Sequence, residues 1–214
     1  VINSGCFANC SGFYGKLTIP DSVVHIEANA FYNCTGFKGQ LNIPPNVQII
    51  SDSAIEECSG FSGNLFIPDS VEELGRHSFS GCTGFDGELT ISKSISIIEN
   101  SLFYNCYILV GSLNIPDKVI SIQNYAFYNC SGFTGPLKIP VNTKTIDDGS
   151  LYNCYRFTGS LVIPEKLTTI NSYSFYNCNG LDGELTIPIN ATFISQSAFY
   201  NCNQLQGELK IPDK

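Results

Sequence analysis

Cysteine is the residue type here with the widest chemical reach, and it keeps strict time. Cys10, Cys34, Cys58, Cys82, Cys106, Cys130, Cys154, Cys178 and Cys202 each follow the last by 24 residues. Thiols can bridge, ligate a metal or attack an electrophile. A period of 24 fits no zinc pattern such as Cys-x-x-Cys. If the units stack in register, successive cysteines stand about 4.8 Å apart with parallel side chains. Their Cβ atoms then lie beyond the roughly 3.5–4.5 Å of a disulfide. Burial is what remains, since a free thiol behaves as a small hydrophobe, and the ladder predicts reduced, inward-facing thiols. Cys6 is off the beat. Counting 24 back from Ala30 puts it in a small inward slot, which predicts a core residue; Cys6 and Cys10 are the one pair placed to bridge at an end.

Other catalytic material is sparse. The two histidines, His25 and His77, fall at different places in separate units, and neither forms a Ser-His-Asp or Cys-His pattern. Asp147 with Asp148 and Glu72 with Glu73 read as solvated turn carboxylates. No catalytic residue, metal ligand or cofactor is predicted, and the chain is not read as an enzyme. Four sequons are potential glycosylation acceptors on a secretory route: Asn9, Asn33, Asn129 and Asn190. Three of them arise because the repeat puts Asn before Cys, which leaves Asn190, in a turn, as the better acceptor.

The elements that must carry these residues follow from the repeat, numbered from its cysteine. Position +5 is Gly, +7 is Leu and +9 is Ile in all nine units, and +10 is Pro except at Ser92. Leu and Ile around one variable residue have period two, the mark of a short strand with one buried face. Proline ends it and starts a turn. Position +13, usually Val or Ile, and +16, Ile or once Leu74, bury a second extended piece, and Ala-Phe or close relatives at +20 and +21 turn a corner inward. The glycine at +5 is expected to supply a positive φ or a close backbone approach. One unit cannot bury its apolar face alone, so the coils must stack. The predicted fold is mainly β: a single continuous solenoid over residues 1–214, of about nine coils, with a parallel sheet on one face, short strands and turns on the other, and little or no regular helix.

Two sets of variable positions are candidates for recognition. The outward residues at +6 and +8 are Lys16, Thr18, Gln40, Asn42, Asn64, Phe66, Glu88, Thr90, Ser112, Asn114, Pro136, Lys138, Ser160, Val162, Glu184, Thr186, Glu208 and Lys210. Phe66 and Val162 stand out as apolar. Position +22 is tyrosine six times: Tyr32, Tyr104, Tyr128, Tyr152, Tyr176 and Tyr200. That stripe reads either as an aromatic surface for protein or glycan or as a self-stacking ladder covering the coil edge, the reading favoured here. Glu56 and Ser80 interrupt it, so binding would favour the C-terminal five coils.

Composition narrows the partners. The net charge is −8, with 11 Lys and Arg scattered along the chain, which argues against nucleic acid and against an anionic membrane surface. No apolar run is long enough to span a bilayer, and Val1-Ile2-Asn3-Ser4-Gly5 lacks the basic and apolar regions of a leader. Units such as LTIPDSVVHIEANAFYNCTGF, Leu17 to Phe37, resemble the BspA-like leucine-rich repeat family, because Ile-Pro, Val-x-x-Ile, Ala-Phe and Cys all fall in phase. The resemblance covers essentially the whole chain. It implies a curved leucine-rich solenoid and an extracellular or cell-surface protein for adhesion, binding protein or glycan ligands. The asparagine ladder of ordinary leucine-rich repeats would fall at +12, where this chain is mixed. The chain starts at +15 and stops at +12, without polar capping units. That phasing predicts either a piece of a longer array or a stalk or filament subunit whose copies stack head to tail.

Overall fold

The computed structural model describes residues 1–213. Its 14 strands are two residues each and every strand pair is parallel. No helix occurs among the described residues. Partners sit one repeat apart, as in His25 with Ile49 and Ile26 with Ile50. This is the expected leucine-rich solenoid of 24-residue coils, with one core running its length. Leu at +7 is buried from Leu41 to Leu161, and Cys, Phe and Ile from successive coils pack above one another.

The strands are distributed differently from the simplest reading of the sequence. Pairing at +7 and +8 occurs twice, Leu65–Phe66 with Leu89–Thr90 and Leu161–Val162 with Leu185–Thr186. The more continuous ladder runs at +15 and +16, in three runs from His25–Ile26 to Phe193–Ile194. The reason lies just before +7. In three coils Gly at +5 pairs with +3 of the next coil, as Gly39 does with Phe61, and in two more +6 pairs with +4, as Glu88 does with Val110, a shift of two residues from the repeat in both cases. Gly63 there has φ 78°. Gly87 and Gly183 instead lack a positive φ and approach the preceding coil's backbone: a Cβ on Gly87 would lie 2.7 Å from Asn64 N. Both expected roles of this glycine are therefore found, in different coils. The two with close approach are those whose +7 and +8 residues form a strand with the coil before. Asp86 and Asp182 support this by accepting Gly63 and Gly159 N–H.

The corner from +18 to the cysteine is a second hydrogen-bonded ladder without strand geometry. Phe103 N–H donates to Ala126 O and Asn105 N–H to Tyr128 O, in the next coil. The residues at +19 and +23 take a left-handed φ, from Asn29 (56°) to Asn201 (58°). Asparagine tolerates that region better than most residues, and at +23 its amides also join: Asn177 Nδ2 donates 2.8 Å to Asn153 Oδ1, and Asn129 Nδ2 donates 3.1 Å to Asn105 Oδ1. The asparagine ladder thus lies at +23, not at +12. Replacing Asn177 by Ala should cost about 1–2 kcal/mol, for the lost amide bonds and a strained φ. Asn177→Gly should cost less because it relieves the φ. Equilibrium urea unfolding of the two variants checks the order.

Ser92, the exception to proline at +10, holds its turn by hydrogen bonds. Its Oγ donates 2.6 Å to Val71 O and accepts Ser94 N–H at 3.1 Å.

Candidate functional site

The cysteines form a buried ladder with a defined partner. Each thiol from Cys34 to Cys202 donates to the carbonyl three residues before the preceding cysteine of the ladder: Cys106 Sγ to Phe79 O at 3.2 Å, Cys130 Sγ to Phe103 O at 3.0 Å. Phe103 O also accepts Cys106 N–H, so the thiol fills the carbonyl's second lone pair. Burial pushes the thiols of Cys58, Cys106 and Cys154 up to about 12. Those of Cys82, Cys130 and Cys178 are held well above their ordinary value by the same desolvation. A buried, protonated thiol is a poor nucleophile and ligand; the ladder is structural. Cys6 departs from expectation. It is exposed, and both it and the half-buried Cys10 are free thiols.

The histidines stand apart. His25 Nδ1 lies 3.8 Å from Glu27 Oε1, and His77 Nδ1 lies 3.9 Å from Glu56 Oε1. Of the sequon asparagines, Asn9 and Asn190 are exposed and Asn33 and Asn129 half-buried. Asn33 and Asn129 commit an amide N–H to the +23 ladder, and Asn190 Nδ2 donates to Glu165 O.

All eighteen outward residues at +6 and +8, from Lys16 to Lys210, are exposed. Phe66 and Val162 are 51 % and 58 % exposed. Both lie in the strands at +7 and +8, four coils apart, beside Thr90 and Thr186. Two members also serve the fold, since Asn64 Oδ1 accepts Glu88 N–H and Ser160 Oγ accepts Glu184 N–H.

The tyrosine stripe is a stack. Centroids of Tyr104, Tyr128, Tyr152, Tyr176 and Tyr200 are 4.4–4.7 Å apart, with interplanar angles of at most 13°. Tyr32 lies outside it, beyond Glu56 and Ser80. Stacking consumes the faces of the inner rings and leaves their edges.

One feature is absent from the sequence reading. The +15 ladder opens between Glu73–Leu74 and Ile97–Ile98, and a cavity of about 640 Å³ lies over the gap. Its lining includes Ile49, Ile97, Glu72, Glu73, Glu99, Glu27 and Asp52, with Arg76 as its one cation. Gly75 lies at its floor, where a Cβ would come within 2.2 Å of Asp52 N. Asp52 Oδ1 accepts Arg76 N–H, and Arg76 Nε lies 3.8 Å from Glu99 Oε2. The groove is therefore acidic with apolar sides. Adjacent Glu72 and Glu73, followed by a glycine where other units carry a side chain, were its only trace in the sequence.

Comparison with known proteins agrees with this geometry. The profile described as BspA type leucine rich repeat region (6 copies) matches residues 1–134 and 98–214. No curated protein sequence matches the chain. A leucine-rich repeat protein from Bacteroides ovatus superposes with a TM-score of 0.63 at 20% identity, over 95% of this chain and 68% of that one. The T. pallidum leucine rich repeat protein TpLRR gives 0.62 at 24% identity, over 74% and 72%. A leucine rich cell surface protein from Faecalibacterium prausnitzii gives 0.61 at 23% identity, over 95% of this chain and 61% of that longer one. With the profile spanning the whole sequence and the fold shared, the chain belongs to the BspA-type leucine-rich repeat family.

Proposed function

We propose that this chain is a non-enzymatic binding module of an extracellular or cell-surface protein, serving adhesion through protein or glycan ligands. The observation that carries this reading is the row at +6 and +8. Its residues are exposed in every coil and differ from coil to coil, while the leucine between them does not vary. An invariant scaffold with a variable exposed face is how solenoids make recognition surfaces. The BspA-type repeat supports it, as does a structural neighbour described as a cell surface protein. The acidic groove adds a place for cationic groups of a protein partner, through charge complementarity.

The test is adhesion of the purified chain to immobilised extracellular-matrix proteins and to epithelial cells. Saturable binding is expected, and Phe66→Ser with Val162→Ser should weaken it about fivefold or more, since exposed apolar residues are the natural anchors of such a face. Binding no higher than that of an unrelated acidic protein, across the whole set, would sink the proposal.

A further inference from the structure

We infer that the tyrosine-bearing corner of the last five coils is a binding site for a neutral glycan. This names a site and a ligand class within the binding function proposed above, and so rests on it.

Nine of the chain's 11 tyrosines lie on this corner. Five form the stack. The other four flank it alternately: Tyr107 and Tyr155 follow their cysteines, and Tyr125 and Tyr173 precede the stack residues Tyr128 and Tyr176 by three. The flanking rings differ from the stacked ones in what they offer. Tyr107, Tyr125 and Tyr155 are 43–44 % exposed. Tyr125 meets Tyr128 edge to face at 5.9 Å, and Tyr107 and Tyr155 touch no other ring among the described residues. Tyr107 and Tyr155 are unstacked, whereas the inner rings of the stack are covered on both faces. An open aromatic face takes the C–H face of a pyranose, and tyrosine adds a polar tip.

The backbone argues that Tyr125 and Tyr173 serve the surface and not the fold. Both hold a left-handed φ, 57° and 58°. Most coils place Asn, Ser or Gly at that position, and a bulky residue there is strained. Between them stands Gly149, where a Cβ would fall 2.7 Å from the Tyr125 ring. The glycine makes room for the ring to lie across the next coil.

The polar groups beside the rings select for hydroxyls. The amides of Asn105, Asn129, Asn153, Asn177 and Asn201 border the stack. Within the ladder Asn177 spends one N–H and one acceptor position, on Asn153 and Asn201. The second N–H and lone pair remain available. Charge is nearly absent: from +18 to +1 the five corners carry one charged residue, Asp148, whose carboxylate already accepts Ser172 N–H. In a chain of net charge −8, this face carries little to attract an ionic partner, with exposed Arg156 beside Tyr155 at its border. Tyrosine with small polar residues is a composition suited to adaptable, uncharged recognition. The near-identical spacing of the rings repeats those contacts along the solenoid, and a polymer with repeating units gains by multivalency.

The experiment is affinity electrophoresis of the full chain in gels containing soluble starch, mannan, galactomannan or glycol chitin, with dextran sulfate as the anionic comparator. Retardation by at least one neutral polymer is expected, unchanged by added salt. Tyr107→Ala with Tyr155→Ala should weaken it about tenfold, with an unaltered circular dichroism spectrum, while Phe66→Ser with Val162→Ser should leave it intact. The inference is overturned if no neutral polymer retards the chain, if only dextran sulfate does, or if the tyrosine pair can be removed without effect. Adhesion to matrix proteins that survives loss of the tyrosines would then leave the general binding function standing.

Discussion

Above pH 9 the folded chain is expected to come apart in one steep, proton-coupled transition. Desolvation raises the thiols of Cys58, Cys106 and Cys154 to about 12 and holds Cys82, Cys130 and Cys178 well above the ordinary 9.0. Once unfolded, the same thiols titrate near their ordinary value. Below pH 9 both states keep their protons and the ladder contributes its full stability. As pH rises from 9 toward 12, unfolding releases protons, so stability falls throughout that window. Each thiol contributes about 1.4 kcal/mol per pH unit, so six contribute about 8 kcal/mol per unit. Against a total stability of roughly 5–15 kcal/mol, unfolding belongs at about pH 10–11. Tyr128 and Tyr176, also raised by desolvation, act in the same direction. Circular dichroism and thiolate absorbance should change together. The pair Cys82→Ala and Cys130→Ala should lower the proton number of the transition by about two, whatever its effect on stability. Thiolate appearing gradually near pH 9 with the spectrum unchanged would refute the account. At neutral pH a disulfide reagent should label exposed Cys6 first and the buried thiols only as fast as the chain opens.

The sequence displayed the solenoid plainly because the fold is a set of invariant inward positions, and each invariance names its cause. Leu41 and Ile43 flank Asn42 because the strand alternates; Cys106 and Phe103 recur because the core is a column. What it concealed depends on how neighbouring coils are offset. The two-residue shift between Gly39 and Phe61 decides that the +15 ladder is more continuous than the +7 pairing, and no single unit reveals an offset between units. Asn129 read as a sequon residue; its left-handed φ and its bond to Asn105 make it a corner residue and a rung. Asparagine before cysteine in seven of nine units was the available signal. At +19 no residue type was diagnostic, since His77, Ser101 and Tyr125 all adopt the same φ while donating their N–H to the next coil. The candidate surfaces followed the same division. The exposed row at +6 and +8 was visible from alternation alone. The acidic groove was not, because it exists where one rung of a ladder is missing.

The four alanines of the +20 slot set up the second large effect, a gain in stability. Ala30, Ala54, Ala126 and Ala198 fill this slot with almost no exposure, and Ser78, Ser150 and Ser174 fill it elsewhere, fully buried. The backbones of these serines are satisfied: Ser150 N–H donates to Asp147 O and Ser150 O accepts Phe127 N–H. Their hydroxyls are not, for Ser78, Ser150 and Ser174 Oγ have no hydrogen-bond partner among the described residues. Leaving a hydroxyl dry and unpaired costs about 1–3 kcal/mol, whereas removing it costs almost nothing where the fold already accepts a methyl. The triple replacement Ser78→Ala, Ser150→Ala and Ser174→Ala should therefore stabilise the chain by about 3 kcal/mol or more. Ser78 lies three coils from Ser150 and should add independently, while Ser150 and Ser174 are in neighbouring coils and can couple. Ser92→Ala supplies the contrast. That hydroxyl is equally buried but bonded at both ends, so its loss should destabilise by about 1–2 kcal/mol. Urea midpoints with unchanged slopes should move in opposite directions for the two variants. A triple variant no more stable than the parent would mean that these hydroxyls find partners in solution, and that the slot is wetter than its burial implies.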